Sequence, residues 1–430
     1  MRCVLPRRAV ALLLSGTATV GAACASRPEP IVVRPAEPSP PRHVAAVDTL
    51  TPAAPASVGL DPALPPRLDS IVNAALAAGA SPGAVLAVGR YGRLIHLKGY
   101  GTLDRPRTSA RPDAHTLYDL ASLTKVVATT TAAMILEEEG RLDLARPVHA
   151  YVPAFDAPDK AAITVRMLLT HTGGLEAYAP LYDAEYGALR GRSSYLAAIN
   201  ARPLRSAPGT KTVYSDWDMV LLQAVIEGVV GRPLDAFVAE RVLRPLGMRD
   251  ARFLPDTADA GLRARVAPTA VDSTRGGLLR GVVHDGNAWA LGGVSGHAGL
   301  FASARDLAVF AQMLLNGGTY GGVPIVKPQT VARWTARQLP SASRALGWDT
   351  PAAGSSAGRY MAPRAFGHTG FTGTSLWVDP ERGLFVVLLM NRTRAAGEGG
   401  TRYTRLRREV ADAVGQAVLD EPVVDWDARR

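Results

Sequence analysis

Three short runs of this chain have residue types suited to acyl transfer. A serine becomes a nucleophile when a neighbouring base takes its hydroxyl proton, and a lysine one helical turn later can be that base if burial lowers its ammonium pKa. Ser122-Leu123-Thr124-Lys125 has this spacing at an expected helix start, and none of the other four lysines has a serine three positions earlier. The helix N-terminus would add a positive dipole end and a backbone N–H beside a developing oxyanion. The apolar, Thr- and Ala-rich stretch that follows would bury Lys125. A tyrosine phenol near ammonium groups can act as a phenolate base or proton shuttle. Tyr214-Ser215-Asp216 supplies the candidate, because only Tyr214 of the twelve tyrosines has Asn or Asp two residues on. The third run is a basic residue followed by Thr-Gly, which on a strand edge can bind a substrate carboxylate or acyl group and offer a backbone N–H. His171-Thr172-Gly173 and His368-Thr369-Gly370 both have this composition. The first follows an expected helix and precedes Tyr214, so it reads as a helix-ending turn; the second lies beside expected strands and is preferred. A surface Ser-Lys pair and a packed structural Tyr are the plainer readings, and three reactive runs together weigh against them.

His284-Asp285 and His297 raise the question of a metal. Neither an H-x-x-x-H nor an H-E-x-x-H helix is present, and the Gly-rich run from Gly292 to Gly299 reads as a loop at the rim of a cleft, so neither metal nor cofactor is expected. Trp289 could line that cleft or pack as an ordinary aromatic. Asp379-Pro-Glu-Arg-Gly383 reads as a turn between strands.

The elements that must hold these residues follow from periodicity. Leu68, Ile71, Val72 and Leu76 recur at helical spacing from about Arg67 to Gly79. Residues 83–89 and 93–99, separated by a turn, read as a strand hairpin. A buried helix is expected from about Thr124 to Gly140. Residues 141–280 read as mostly helical with many turns, a helical sub-domain. Residues 373–379 and 383–391 read as paired strands, followed by an amphipathic helix over 402–418. The expected fold is α+β: an antiparallel sheet built from both chain ends and flanked by helices, with a helical sub-domain inserted and the active site at the junction.

The chain has 430 residues, 47% hydrophobic and 20% charged, which is enough for one large core or two sub-domains sharing one. Its start reads as an export signal: Arg2, Arg7 and Arg8, then an apolar stretch, then small residues leading to Cys24. Residues 1–24 are expected to be a lipoprotein signal with lipid on Cys24; ordinary cleavage after Ala25 is the alternative. Prolines over residues 25–65 suggest a tether ahead of a hydrolase domain at 66–420. The expected location is the periplasm or cell envelope, with a lipid anchor as the membrane contact. The other cysteine, Cys3, lies in the leader, so no intramolecular disulfide is expected. Loss of the three leader arginines lowers the formal charge from +10 to +7, and the remaining Arg are scattered without interleaved aromatics, which argues against a nucleic-acid partner.

Taken together, the three runs resemble the S-x-x-K, Y-x-N and K-T-G set of penicillin-binding proteins and serine β-lactamases. The resemblance leans to the class C β-lactamase, D-aminopeptidase and esterase branch and takes in the segments at 168–175 and 292–307. It implies a β-lactamase/transpeptidase-like fold and a serine hydrolase that cleaves an ester or amide of a small-molecule or peptide acyl donor, including D-amino-acid or peptidoglycan-related bonds. Ser122 would be the nucleophile, Lys125 and Tyr214 would handle protons, and the N–H groups of Ser122 and Phe371 would form the oxyanion hole. Asp216, His368, Thr369 and Gly370 would contact substrate. Two positions depart from the pattern: Asp216 replaces an amide donor with an acceptor, and His368 replaces a permanent cation with a group largely neutral at pH 7. Both changes should weaken recognition of a β-lactam carboxylate, which ranks β-lactamase activity below esterase or peptidase activity. A catalytically silent envelope protein that uses the cleft for binding is the rival reading; labelling by a fluorophosphonate separates the two.

Overall fold

The computed structural model describes residues 31–34, 49–105, 109–255, 258–395 and 400–428. Its centre is a six-stranded sheet of β1 (Thr51–Pro52), β2 (Gly83–Arg90), β3 (Arg93–Gly101), β4 (Phe366–Thr369), β5 (Ser375–Asp379) and β6 (Leu384–Met390), ordered β4-β5-β6-β2-β3-β1. Neighbours are antiparallel except β1, which runs parallel to β3. Strand β6 pairs with β2, so the two chain ends complete one sheet. The β2–β3 turn has Tyr91 and Gly92 at φ of 50° and 74°, the two-residue hairpin geometry whose twist matches the strands it joins.

Both sheet faces are covered, which explains the unbroken apolar run of β6. Val85, Ala87, Leu376, Val378, Phe385, Val387 and Leu389 face one core; Ala84, Leu86, Val88, Trp377, Leu384, Val386 and Leu388 face the other. This is the period-two alternation of a strand with the polar half replaced by a second interior. Helices α1 (Leu64–Ala77) and α5 (Arg402–Gln416) cover the second face. Helix α4 (Ala304–Leu315) packs on the first, together with α2 (residues 123–138) and α3 (Asp216–Val230).

The proline-rich stretch differs from a bare tether. Ile31–Arg34 pairs antiparallel with Val423–Asp425, and Val58, Leu60 and Leu64 are buried. Buried Arg90 binds the Val58 and Gly59 carbonyls and pairs with Asp420 at 2.7 Å, fixing this segment and the C-terminal one to β2. Of the expected tether, the described residues 49–65 are packed irregular chain, and the fold extends past residue 420. Cys24 and the leader lie outside the described residues. Between residues 141 and 280 the helices are short and joined by long turns, with α3 the longest. Among the described residues no helix is long and apolar enough to cross a membrane.

Candidate active site

Ser122 stands on the turn between the short strand Tyr118–Asp119 and α2. Ala121 before it has φ +46°, a left-handed conformation costly for a residue with a Cβ, and it persists because its surroundings hold it. The Ala121 N–H donates to Asp119 Oδ1 at 2.8 Å, and the His284 N–H donates to Asp119 Oδ2 at 2.7 Å. Burial pushes the Asp119 carboxyl up to about 6, against the N–H groups that favour its charge. The Thr372 and Thr374 hydroxyls donate to the Asp119 and Leu120 carbonyls at 2.8 and 3.0 Å. The nucleophile's turn is thus bonded directly to the loop that follows His368-Thr369-Gly370.

Lys125 begins the π-pitched turns Lys125–Thr130 of α2 and is fully buried. Its ammonium donates to Ser122 Oγ at 2.9 Å, Asp216 Oδ1 at 2.7 Å and the His297 carbonyl at 3.2 Å, and lies 4.9 Å from the Tyr214 ring centroid. Burial favours the neutral amine, but the Asp216 carboxylate outweighs it and the Lys125 pKa is raised above its ordinary value. This corrects the expectation of a depressed lysine base: Lys125 rests as an ammonium. Asp216, in the first turn of α3, is the cause. Ser215 caps the same helix, accepting from the Trp217 N–H at 3.2 Å and donating to the Glu176 carbonyl at 2.6 Å.

The third run lies where expected, on edge strand β4. His368 is buried; its Nδ1 lies 2.8 Å from the Thr369 carbonyl, so Nδ1 carries the proton and Nε2 is a lone-pair nitrogen without a partner. Burial, with Arg344 and Lys125 nearby, holds the His368 pKa well below its usual value and the ring neutral. A Cβ on Gly370 would lie 2.1 Å from Thr374 Oγ1 and 2.3 Å from the Leu120 carbonyl, so the close approach of the two loops requires glycine. Exposed Phe371 follows, and among the described residues neither its N–H nor that of Ser122 has an intramolecular hydrogen bond. Both donors are therefore free for an oxyanion. Ser122, Tyr214, Asp216, His368, Thr369, Gly370 and Phe371 all line one cavity of about 830 Å³.

Several residues enter this site that the motifs did not mark. Arg344 lines the cavity with its guanidinium 5.1 Å from the Tyr214 ring centroid, and among the described residues no carboxylate pairs with it. It stands near His368 and supplies the permanent cation that the histidine lacks, so His368 alone does not imply weak carboxylate recognition. The turn at 171–173 also does more than end a helix. His171 is buried with φ +55°, its ring 4.7 Å from that of Tyr214, and its Nδ1 accepts from the Ser215 N–H at 3.3 Å and lies 2.9 Å from Asp218 Oδ2. Burial holds His171 well below and Asp218 well above their ordinary ranges, so this is a neutral pair in which the Asp218 carboxyl donates. A role in the familiar segment 168–175 was the available signal; Arg344 had none.

The Gly292–Gly299 segment reaches the cavity as expected, through His297 and Ala298, but runs from exposed Gly292 into the interior. His297 is buried, its carbonyl binds Lys125, and a Cβ on Gly296 would lie 2.1 Å from the Met219 carbonyl. Trp289 stands off the cavity between Arg190 and Arg275, 4.6 and 5.7 Å from its centroid. Ligand atoms of Asp216, Asp285 and His297 lie within 4.8 Å of one another, a spacing that could hold a metal. Lys125 already fills the cation position at Asp216, and both His297 nitrogens are bonded, Nδ1 to Ser295 and Nε2 to Asp285, each at 2.8 Å.

Comparison with known proteins agrees with this geometry. The family model described as Beta-lactamase matches residues 68–411. A Salmonella typhimurium protein provisionally named D-alanyl-D-alanine carboxypeptidase is 34% identical over 378 residues, covering 80% of this chain and 86% of that protein; the Salmonella typhi counterpart matches equally. Among solved structures, a penicillin-binding protein homologue from Caulobacter crescentus is 25% identical with a TM-score of 0.64, covering 83% of this chain and 99% of its own. EstCE1, a hydrolase with promiscuous acyltransferase activity, shares the fold at 24% identity and a TM-score of 0.66, covering 82% of this chain and 98% of its own. With a family model spanning most of its length and the reactive residues gathered in one cavity, the chain belongs to the Beta-lactamase family of serine hydrolases.

Proposed function

We propose that Ser122 forms the acyl-enzyme. The observation that carries the reading is the Ser122 Oγ 2.9 Å from the buried Lys125 ammonium at the wall of the large cavity. Because Asp216 keeps Lys125 charged, the proton acceptor is Tyr214 reacting as its phenolate, its buried oxygen standing beside the Lys125 ammonium, which stabilises negative charge on the two oxygens. Oγ attacks the carbonyl carbon, the oxyanion is received by the Ser122 and Phe371 N–H groups, and Tyr214 returns the proton to the departing oxygen or nitrogen. Water then adds to the acyl carbon, gives its proton to Tyr214, and Ser122 leaves as the alcohol. The substrate is an ester or amide, with D-amino-acid and peptidoglycan-related acyl donors ahead of β-lactams. Export and a lipid tether on Cys24 are part of the proposal and rest on the leader alone.

Intact mass spectrometry of wild type and Ser122→Ala after a fluorophosphonate, p-nitrophenyl butyrate and a penicillin tests the reading. The expected result is a Ser122-dependent adduct with ester turnover and little penicillin turnover. A folded wild type that acquires no adduct from any reagent would sink the acyl-enzyme.

A further inference from the structure

Charges of both signs line the cavity. Arg275, Arg344, Arg392 and Arg407 line it together with Asp216, Asp285 and Asp349, and Arg344 lies 5.1 Å from the Tyr214 ring centroid. Of the three carboxylates, Asp216 is taken by Lys125 and Asp349 accepts from the Thr350 N–H. Asp285 caps a short helix through Oδ1, which accepts from the Ala288 N–H at 2.7 Å and from His297 Nε2 at 2.8 Å. Burial opposes the charge on Asp285, but His297 and the Ala288 N–H hold its carboxyl well below the usual carboxylate range. Oδ2 has no hydrogen bond among the described residues and is not among the buried unpartnered atoms, so it opens into the cavity.

Two aromatic rings, those of Tyr178 and Tyr182, line the same cavity. Tyr182 packs on the residue after Asp285, where a Cβ on Gly286 would lie 2.3 Å from its ring. Tyr178, 44% exposed, is close enough to Tyr182, Asp285 and Asp216 that these raise its phenol pKa along with burial. A carboxylate and aromatic rings lining one cavity are a combination that receives an organic ammonium ion. His368 lines the same cavity but keeps its unpartnered Nε2 buried. A metal ion fits less well, since His297 has no nitrogen to offer.

We infer that Asp285, with Tyr178 and Tyr182, is a subsite for a protonated amine of the acyl donor, so that this hydrolase favours amino-acid or peptide esters and amides whose amino group is free. The inference rests on Ser122 as the nucleophile and adds the class of substrate. Lys125 does not repel such an amine, because Asp216 neutralises it at 2.7 Å.

The test measures protection of Ser122 from a fluorophosphonate by alanine methyl ester and by N-acetylalanine methyl ester, in both hands, for wild type, Asp285→Asn and Tyr178→Ala. Wild type should be half-protected by the better free-amine ester at a concentration roughly tenfold or more below its acetylated partner, the size of one charge-assisted contact. Asp285→Asn should bring that ratio close to one, and Tyr178→Ala, at an exposed position that folding does not depend on, should lower it about two- to fivefold. Equal protection by both esters, protection by neither, or an unchanged ratio in a labelled Asp285→Asn protein would overturn the subsite while leaving Ser122 acylation intact. Absence of any fluorophosphonate adduct on wild type would instead remove the serine mechanism, and the subsite with it.

Discussion

His171-Thr172-Gly173 and His368-Thr369-Gly370 are the same tripeptide, and both imidazoles pack against Tyr214, 4.7 and 5.7 Å from its ring centroid. Their backbones differ. The first ends the helix Val165–Leu169 with its histidine at positive φ, and its side chain is bonded into the protein through Asp218 and the Ser215 N–H. The second lies on a sheet edge, its histidine bonded to the neighbouring Thr369 carbonyl and its following N–H directed to the cavity. One copy therefore serves as a backing for Tyr214 and the other as a wall that meets substrate. Burial makes both rings neutral, so charge does not distinguish them; the surrounding backbone does.

The largest effect that would break this contrast concerns the two glycines. Gly370→Ala must push apart the nucleophile turn and the Phe371 N–H, and kcat/KM on p-nitrophenyl butyrate should fall by about 10²–10³, as for loss of an oxyanion donor. Gly173→Ala is tight only against the Asp218 side chain, at 2.9 Å, with Ile163 and Leu168 at ordinary contact distance, and should lose less than about tenfold, with a stability cost of about 1–3 kcal/mol from overpacking. Equal losses in ester hydrolysis would show that the first copy also meets substrate.

A smaller difference should appear in urea unfolding. His171→Ala leaves a cavity and strands the buried Asp218 carboxyl, costing about 2–4 kcal/mol. His368→Ala frees a carbonyl at the cavity wall and should cost about 1 kcal/mol. The reverse order would place the structural role on β4.

The smallest is a pH slope. Below about pH 6.5 the unfolded chain binds a proton at position 171 that the folded chain does not, because burial depresses the folded pKa. Its contribution is therefore present above pH 6.5 and is lost on acidification. Asp218, with a raised pKa, acts in the opposite sense. His171→Gln should remove the histidine contribution and change the slope of unfolding free energy against pH by up to about 1.4 kcal/mol per unit. No change in slope would mean that the native ring titrates normally.

Ser122, Lys125, Tyr214 and His368 were legible in the sequence because each sits in a short run whose spacing has local meaning, and the sheet was legible because β2, β5 and β6 are apolar runs bounded by turns. Arg344 was not. Its loop carries no pattern and reaches Tyr214 because Asp349 bridges both Arg344 and Gly367, fastening the loop to edge strand β4. The depth of the Gly292–Gly299 segment was not legible for a related reason: glycine marks close approach as well as exposed turns, and the Met219 carbonyl that requires Gly296 is remote in sequence.

The charge on Lys125 divides the two sources of information most clearly. Local sequence was sufficient to bury this lysine beside Ser122, since an apolar helix start and a three-residue spacing do that by themselves. Whether it rests as amine or ammonium depends on Asp216, 91 residues away, brought to 2.7 Å by the packing of α3 against α2. Burial and ion pairing push the pKa in opposite directions, and their balance is set by a distance that no sequence spacing encodes.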